Sequence, residues 1–323
     1  MDLTVAIVSF NCREYLRACL ASLQKQRVPA GCEVRVVDNA STDGTTGMVK
    51  AEFPSVSLIA NRKNRGFAAA CNQALKASRG RYCLLLNPDT TVPAGALIEM
   101  VRFLDAHPSA AAAGCRLLNP DGSLQPSVRS FPTPAAALGI FTLLGQLGFF
   151  RSARRRYLRA DFDYSRESRI EQPMGAAIFL RREAVERAGG MDEGFFLYVE
   201  EVDLCRRLAD AGHEIWYNPR ASIVHWGGKS TEQAGAVAVF HLLRGLLRYF
   251  RKHRPGVGTS CFIAIFKPLC LLGTVWGMLG AGFSLLFRRL FGAPADKVKK
   301  SRKRFLGKWA FLKGYALEFL FRA

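Results

Sequence analysis

Acidic residues are scarce in this 323-residue chain, which carries 26 Asp and Glu against 46 Lys and Arg, a formal charge of +20. The scarcity is local. Between 241 and 323 only Asp296 and Glu318 face 17 basic residues, whereas residues 1–240 carry 24 acids against 29 bases. Such a tail suits a polyanion, either nucleic acid or an anionic membrane. The nine cysteines include no C-x-x-C pair and no metal-finger spacing, so they read as reduced, mostly buried thiols of a cytoplasmic protein. The opening MDLTVAIVSF has no basic stretch and no small-residue cleavage site, so no secretory signal is expected. No internal repeat appears. At 49% apolar and 22% charged residues, the composition is globular rather than disordered.

Charge is also absent from residues 268–287, an uncharged run just long enough to cross a bilayer, set between RKHR (251–254) and Arg288–Arg289. Nucleic-acid binders seldom present such a run, which favours the membrane. Both flanks are basic, so charge gives no orientation for a span. Pro268 and the glycines suit a bent or interfacial helix. A shallow hairpin or in-plane anchor keeps every basic cluster on one side and is preferred to a single span. Residues 1–240 are read as one catalytic domain, and 241–323 as a basic, apolar helical segment for membrane association.

What is present at the start is alternation. LTVAIVSF, EVRVVD, VSLIA and RYCLLLN are short β-rich runs, separated by helical stretches at 12–26, after NASTDGT, in FAAACNQALKAS and in AGALIEMVRFLDAH. This spacing predicts an α/β fold, a mostly parallel sheet flanked by helices. In open α/β sheets, ligands lie beyond the carboxyl ends of the strands. That rule selects SFN (9–11), DNASTDG (38–44) and NPDT (87–90), although such residues also serve ordinary turns. The stretch 131–169, with GIFTLLGQLGFF and RSARRRYLRA, reads as an inserted mobile loop or amphipathic segment. In FFLYVEEVDLC (195–205) the carboxylates Glu200, Glu201 and Asp203 open a helix, where acids favour the positive end of its dipole. Asp203 is placed to pair with Arg206 or Arg207.

Six stretches in order, VSFN (8–11), VVDNASTDGT (36–45), NRGFAAACNQAL (64–75), LLLNPDT (84–90), the long run 174–208 and YNPRASIVHWGGKS (217–230), resemble the family 2 glycosyltransferases of GT-A fold. Within that family the likeness is to bacterial rhamnosyltransferases of lipid-linked glycan synthesis. It covers about residues 3–230 and leaves the tail outside. It implies an inverting transfer of a sugar, L-rhamnose from dTDP-rhamnose, to a polyprenyl-diphosphate-linked saccharide at the cytoplasmic face of the inner membrane. UDP- and GDP-linked donors remain open.

The resemblance also assigns residues. Asp38 matches the base-contacting acid, and Ser9, Asn11, Asp43, Asn64, Arg65, Gly66 and Asn87 fall in the nucleotide-sugar loops. Asp89 and His225 match ligands for a divalent Mg²⁺ or Mn²⁺; Asn87 stands where relatives often carry a first aspartate. Glu201 aligns with the catalytic base, beside Glu200, where relatives usually have Glu-Asp. Asp192 and Lys229 are candidate acceptor or phosphate contacts. A nucleotidyltransferase acting on a sugar phosphate is the competing class, but it predicts a glycine-rich phosphate loop after the first strand, which SFNCREYL lacks. A noncatalytic scaffold predicts loss of the acids, which persist at 89, 200 and 201.

Overall fold

Leu3, Val5 and Ile7 point to one side of the first strand and Ala6 and Val8 to the other, and both sides are buried, as in a sheet covered on two faces. The computed structural model describes residues 1–28, 30–227 and 229–323, without the side chains of 229–234. In chain order the first half runs β1 (Leu3–Ser9), α1 (Arg13–Gln24), β2 (Cys32–Asp38), α2 (Thr45–Glu52), β3 (Ser57–Ala60), α3 (Phe67–Lys76), β4 (Tyr82–Leu86), β5 (Thr90–Thr91), α4 (Ala96–Ala106) and β6 (Ala110–Leu118). It continues with β7 (Leu124–Gln125), β8 (Val128–Arg129), α5 (Pro134–Phe141), α6 (Leu143–Gln146), α7 (Arg151–Tyr157), β9 (Ser168–Arg169), β10 (Gln172–Pro173) and β11 (Ala177–Arg181). The last part is α8 (Arg182–Arg187), α9 (Glu200–Asp210), β12 (Glu214–His225), α10 (Lys229–His253), α11 (Val257–Leu290) and α12 (Ala295–Phe321).

The main sheet has the order β3-β2-β1-β4-β11-β6-β12-β5. Pairings among β1–β4, and between β6 and β12, are parallel; β11 and β5 run antiparallel to their neighbours. One face packs on Leu16 and Leu20 of α1, Met48 of α2 and Leu97 and Met100 of α4. The other packs on the alanines of α3, Val185 of α8 and Leu204 and Leu208 of α9. The expected mostly parallel α/β sheet is therefore what forms. Register sets Ser9 beside Asp38 and Ile7 beside Leu86, so β1, β2 and β4 end together at one edge.

Packing divides the chain into two compact units, 1–131 with 161–233, and 132–160 with 234–323. The first holds the sheet. In the second, part of the stretch 131–169, read from sequence as an inserted mobile loop or amphipathic segment, folds into α5–α7 and packs within the same unit as the tail. Gln146 at the end of α6 donates to the Gly273 carbonyl of α11 at 2.9 Å, and a Cβ on Gly273 would stand 2.6 Å from the Leu143 nitrogen. Among the described residues, α11 is the one helix long and apolar enough to cross a membrane by length and composition. It pairs antiparallel with α12: Gly277 lies against Lys308, Gly282 against Phe305, Ser284 against Ser301, and Arg288 donates to the Lys297 carbonyl. Trp276, Leu279, Phe283, Leu286 and Leu290 recur at helical spacing along α11, and each is more than half exposed.

Candidate functional site

The loops at the ends of β1 and β2 are tied together by side chains. Asn11, in a left-handed turn (φ 49°), accepts from the Thr42 N–H at 2.8 Å and donates its own N–H to Ser41 Oγ at 2.9 Å. Asp43 accepts from the Arg13 N–H with one oxygen and from the Thr45 N–H and hydroxyl with the other. Burial opposes its charge, but these hydrogen bonds outweigh burial and hold its pKa below the usual aspartate value. Both residues therefore shape the loop. Ser9 is fully buried and its hydroxyl lies 3.3 Å from Cys12 Sγ. Asp38 differs. It is buried, one oxygen accepts from the Ser41 N–H at 3.0 Å, and Oδ1 has no hydrogen-bond partner. A buried orphan carboxylate oxygen at a strand end needs a donor from elsewhere.

Asn39 was not singled out from sequence, yet it organises the next loop. Its amide donates to Asn64 Oδ1 and the Gly66 carbonyl, and its oxygen accepts from the Arg65 N–H and Asn61 Nδ2. Asn64 closes the turn by accepting the Gly66 N–H, which leaves Arg65 exposed at the rim. Gly66 has φ 85°, and a Cβ there would meet the Phe196 carbonyl at 2.7 Å. Next to it, the Phe67 N–H donates to that carbonyl at 2.6 Å, so this loop touches the run that leads into α9.

At the end of β4, the Asn87 N–H donates to the Ala176 carbonyl and the Asn87 carbonyl accepts from the Thr90 hydroxyl. Thr90 pairs with His225 across β5 and β12, which brings His225 Nε2 to 3.5 Å from Asp89 Oδ1. Both side chains are buried. The imidazole Nδ1 lies 2.7 Å from Gln125 Oε1, and Nε2 has no hydrogen-bond partner. Among the described residues no group of three or more His, Cys, Asp or Glu gathers, so Asp89 and His225 meet as a pair of buried side chains. The side chain of Lys229 lies outside the described residues.

The acids at 200 and 201 enter α9 through strain. Tyr198 (φ 67°) and Val199 (φ 72°) are consecutive left-handed residues, and a β-branched side chain is rarely found there. Glu200, which follows this turn, is buried, and Glu201 is half-buried. Burial pushes the Glu200 carboxyl well above its usual range, and the neighbouring Glu201 charge adds to the shift. Burial raises Glu201 too, opposed by backbone N–H groups of the helix start. One oxygen of each carboxyl is buried without a hydrogen-bond partner. The Glu201 side chain lies against Gly175, where an added Cβ would stand 3.1 Å from Oε1. Gly175 precedes Ala176, the partner of Asn87, so Glu201 and the loop of Asp89 meet the same sheet edge. Asp203, fully buried, pairs with Arg207 at 2.8 Å, and Arg207 also donates to the Ala188 and Gly190 carbonyls; Arg206 turns instead to Asp210. Asp192 accepts the Gly194 N–H in its own turn, which Asn72 fastens to α3 through Met191 and Glu193.

A sheet of this order with ligand loops at the carboxyl ends of β1, β2 and β4 is a GT-A-type α/β fold. The chain belongs to glycosyl transferase family 2, which matches residues 4–186. It is 29% identical over 253 residues to the N-acetylglucosaminyl-diphospho-decaprenol L-rhamnosyltransferase of Mycobacterium tuberculosis, covering 74% of this chain and 81% of that protein. It is 26% identical over 174 residues to the rhamnosyltransferase WbbL of Escherichia coli K12, covering 54% of this chain and 62% of that one. Among solved structures, the mannosyltransferase PcManGT of Pyrobaculum calidifontis in complex with GDP-Man and Mn²⁺ superposes with a TM-score of 0.55 at 18% identity, over 96% of this chain and 87% of that one. S. aureus TarS 1-349 in complex with UDP gives a TM-score of 0.51 at 17% identity, over 97% and 92%. At these identities the superpositions establish the fold alone.

Proposed function

We propose that this glycosyltransferase is an inverting enzyme that moves L-rhamnose from dTDP-rhamnose to a polyprenyl-diphosphate-linked saccharide, at the cytoplasmic face of the inner membrane. The observation that carries the reading is the meeting of two unlike groups at one sheet edge: the facing Asp89 and His225, and the half-buried carboxyl of Glu201, whose Oε2 is buried without a hydrogen-bond partner. The names of the mycobacterial and E. coli relatives support the donor sugar, and the former supports the lipid-diphosphate acceptor. Family membership sets the nucleotidyltransferase reading aside.

The chemistry divides among the residues. Asp38 Oδ1 accepts a donor from the base, while the loop of Asn64, Arg65 and Gly66 borders the nucleotide and Asn87 the sugar diphosphate. Asp89 and His225 would hold a divalent cation, Mg²⁺ or Mn²⁺, which when bound neutralises the diphosphate leaving group. Glu201 takes the proton of the acceptor hydroxyl as that oxygen bonds to the anomeric carbon, and the carbon–oxygen bond to the diphosphate breaks with its electron pair leaving on the nucleotide. Attack from the face opposite the leaving group inverts the anomeric centre. Glu200, deeper and more strongly held protonated, keeps a second negative charge away from the base. Asp192 is assigned to the acceptor and Lys229 to the phosphates by their places in the sequence alone.

Magnitudes favour an in-plane anchor. Alongside the uncharged run 268–287, α12 sets Lys299, Lys300, Arg302, Lys303, Arg304, Lys308 and Lys313. Standing α11 upright in a bilayer would carry these cations into hydrocarbon, at roughly 3 kcal/mol for each one near its centre. Lying flat, the pair lets the exposed leucines and phenylalanines of α11 enter the acyl layer while the bases meet anionic headgroups. At its tip, a cleft of about 450 Å³ is lined by Arg288, Arg289, Lys299 and Arg302.

A donor screen tests the reading. The purified full chain, on vesicles holding polyprenyl-diphosphate-linked N-acetylglucosamine, is offered dTDP-rhamnose and a panel of UDP- and GDP-sugars. Transfer from dTDP-rhamnose is the expected result. Turnover with a UDP- or GDP-sugar alone would replace the donor and leave the class standing.

A further inference from the structure

We infer that Gln125 is a positioning residue for the cation site: it fixes which nitrogen of His225 carries the proton and so turns the lone pair of Nε2 toward Asp89. The inference rests on the reading of Asp89 and His225 as metal ligands. The chain reaches this arrangement through a tight hairpin. In NPDGS (119–123) the Gly122 N–H donates to the Asn119 carbonyl, Gly122 takes φ 81°, and Asp121 accepts from the Ser123 N–H and hydroxyl. β7 then folds back on β6, pairing Gln125 with Leu117, and β6 lies beside β12. The amide of Gln125 is thereby carried to the ring of His225.

The orientation of that amide follows from acceptors that cannot be anything else. The Leu124 carbonyl lies 3.5 Å from Asn119 Nδ2, which also reaches Ser123 Oγ at 2.9 Å, so Asn119 turns its oxygen to Gln125. Gln125 must meet that oxygen with its NH₂ group, at 2.9 Å, and the same NH₂ faces the His225 carbonyl at 3.4 Å. Its oxygen is left for Nδ1, at 2.7 Å, and an oxygen there requires that Nδ1 bear the hydrogen. In neutral imidazole Nε2 then has only a lone pair. That atom is buried, has no hydrogen-bond partner, and faces a carboxylate oxygen at 3.5 Å. Two lone-pair donors aimed at one another repel unless a proton or a metal cation lies between them. Partners of this kind, one shell out from a ligating histidine, hold the ring and fix its tautomer.

Gln125→Leu removes the acceptor at nearly constant volume; Gln125→Glu keeps an acceptor for Nδ1–H and loses the bond to Asn119. The probe is Mn²⁺ binding to the full chain in the presence of dTDP, read by electron paramagnetic resonance of free Mn²⁺. Affinity should fall about 10–100-fold in Gln125→Leu and stay within a few-fold of the parent in Gln125→Glu. A second readout needs no metal: ¹⁵N spectra of His225 should show the Nδ1–H form in the parent and in Gln125→Glu, and a mixture in Gln125→Leu. Parental Mn²⁺ affinity in Gln125→Leu, or equal losses in both variants, overturns the inference. Asp89→Asn separates the two readings: if it leaves Mn²⁺ affinity unchanged, the cation site itself is misplaced, whatever Gln125 does to the tautomer. Should Gln125→Leu fail to fold, a Gln125→Glu variant that has lost the Nδ1–H signal overturns the inference by itself.

Discussion

Asp89 and Glu201 are carboxylates at the same sheet edge, and the protein builds their surroundings in opposite ways. Asp89 follows a strand, faces an imidazole across 3.5 Å and sits in a loop tied to both β11 and β12. Glu201 starts a helix, lies on the bare backbone of Gly175, and has another buried acid as its neighbour in sequence. The first setting places a buried carboxylate oxygen opposite a buried imidazole nitrogen. The second raises the affinity for a proton, which a general base needs if it is to accept one near neutral pH. Two carboxylates at one edge thus receive different surroundings from burial and from what each one faces.

The comparison breaks first at Glu201. Glu201→Gln should lower transfer by about 10²–10⁴-fold while dTDP binding holds within a few-fold. Single-turnover transfer alongside nucleotide titration measures both, and a near-parental rate would move the base elsewhere. Asp89→Ala should reduce Mn²⁺-supported donor binding by about 10–100-fold or more, taking the loss of an outer partner as the lower bound. Donor binding that ignores both the substitution and added Mn²⁺ would remove the cation from the scheme. Gly66→Ala tests whether the two halves are mechanically joined, since a Cβ there collides with the Phe196 carbonyl that precedes α9. Thermal unfolding should show a loss of about 1–3 kcal/mol. Parental stability with parental transfer would mean that the loop shifts freely.

The smallest effect concerns pH. The pKa of Glu200 is raised in the folded protein, so the native state holds its proton over a window in which the unfolded chain has lost it. Stability from this group is full below the unfolded pKa and is lost as pH rises through the folded one. Melting temperature should decline on the alkaline side of the ordinary glutamate range, and Glu200→Gln should flatten the decline. An unchanged slope would show that Glu200 is hydrated.

The sheet and its helices were legible because the strands are short apolar runs and the helices carry one buried stripe, patterns that depend only on burial. The pairing of Asp203 with an arginine one turn on was legible for the same local reason, and the structure selects Arg207, whose other donors reach two carbonyls. What could not be read depends on contacts distant in sequence. Nothing about LQPSVR announces that Gln125 will meet a histidine 100 residues later. Asn39 looked like one more turn residue beside Asp38, although its amide holds four partners of the 61–66 loop. The left-handed pair Tyr198–Val199 was invisible because neither residue type favours that conformation, and only the surrounding fold imposes it.

The second unit is assembled from two stretches that lie far apart along the chain, 132–160 and 234–323. Cutting away the tail would strip α5 and α6 of the helix they rest on, so release of a shortened chain from lipid would not by itself test the proposed anchor, because part of the fold is lost as well. Charge reversal on α12 is the cleaner probe of lipid attachment, because it alters the surface and spares the packing beneath. For an engineer, trimming from one end removes half of a packed unit rather than a detachable appendage.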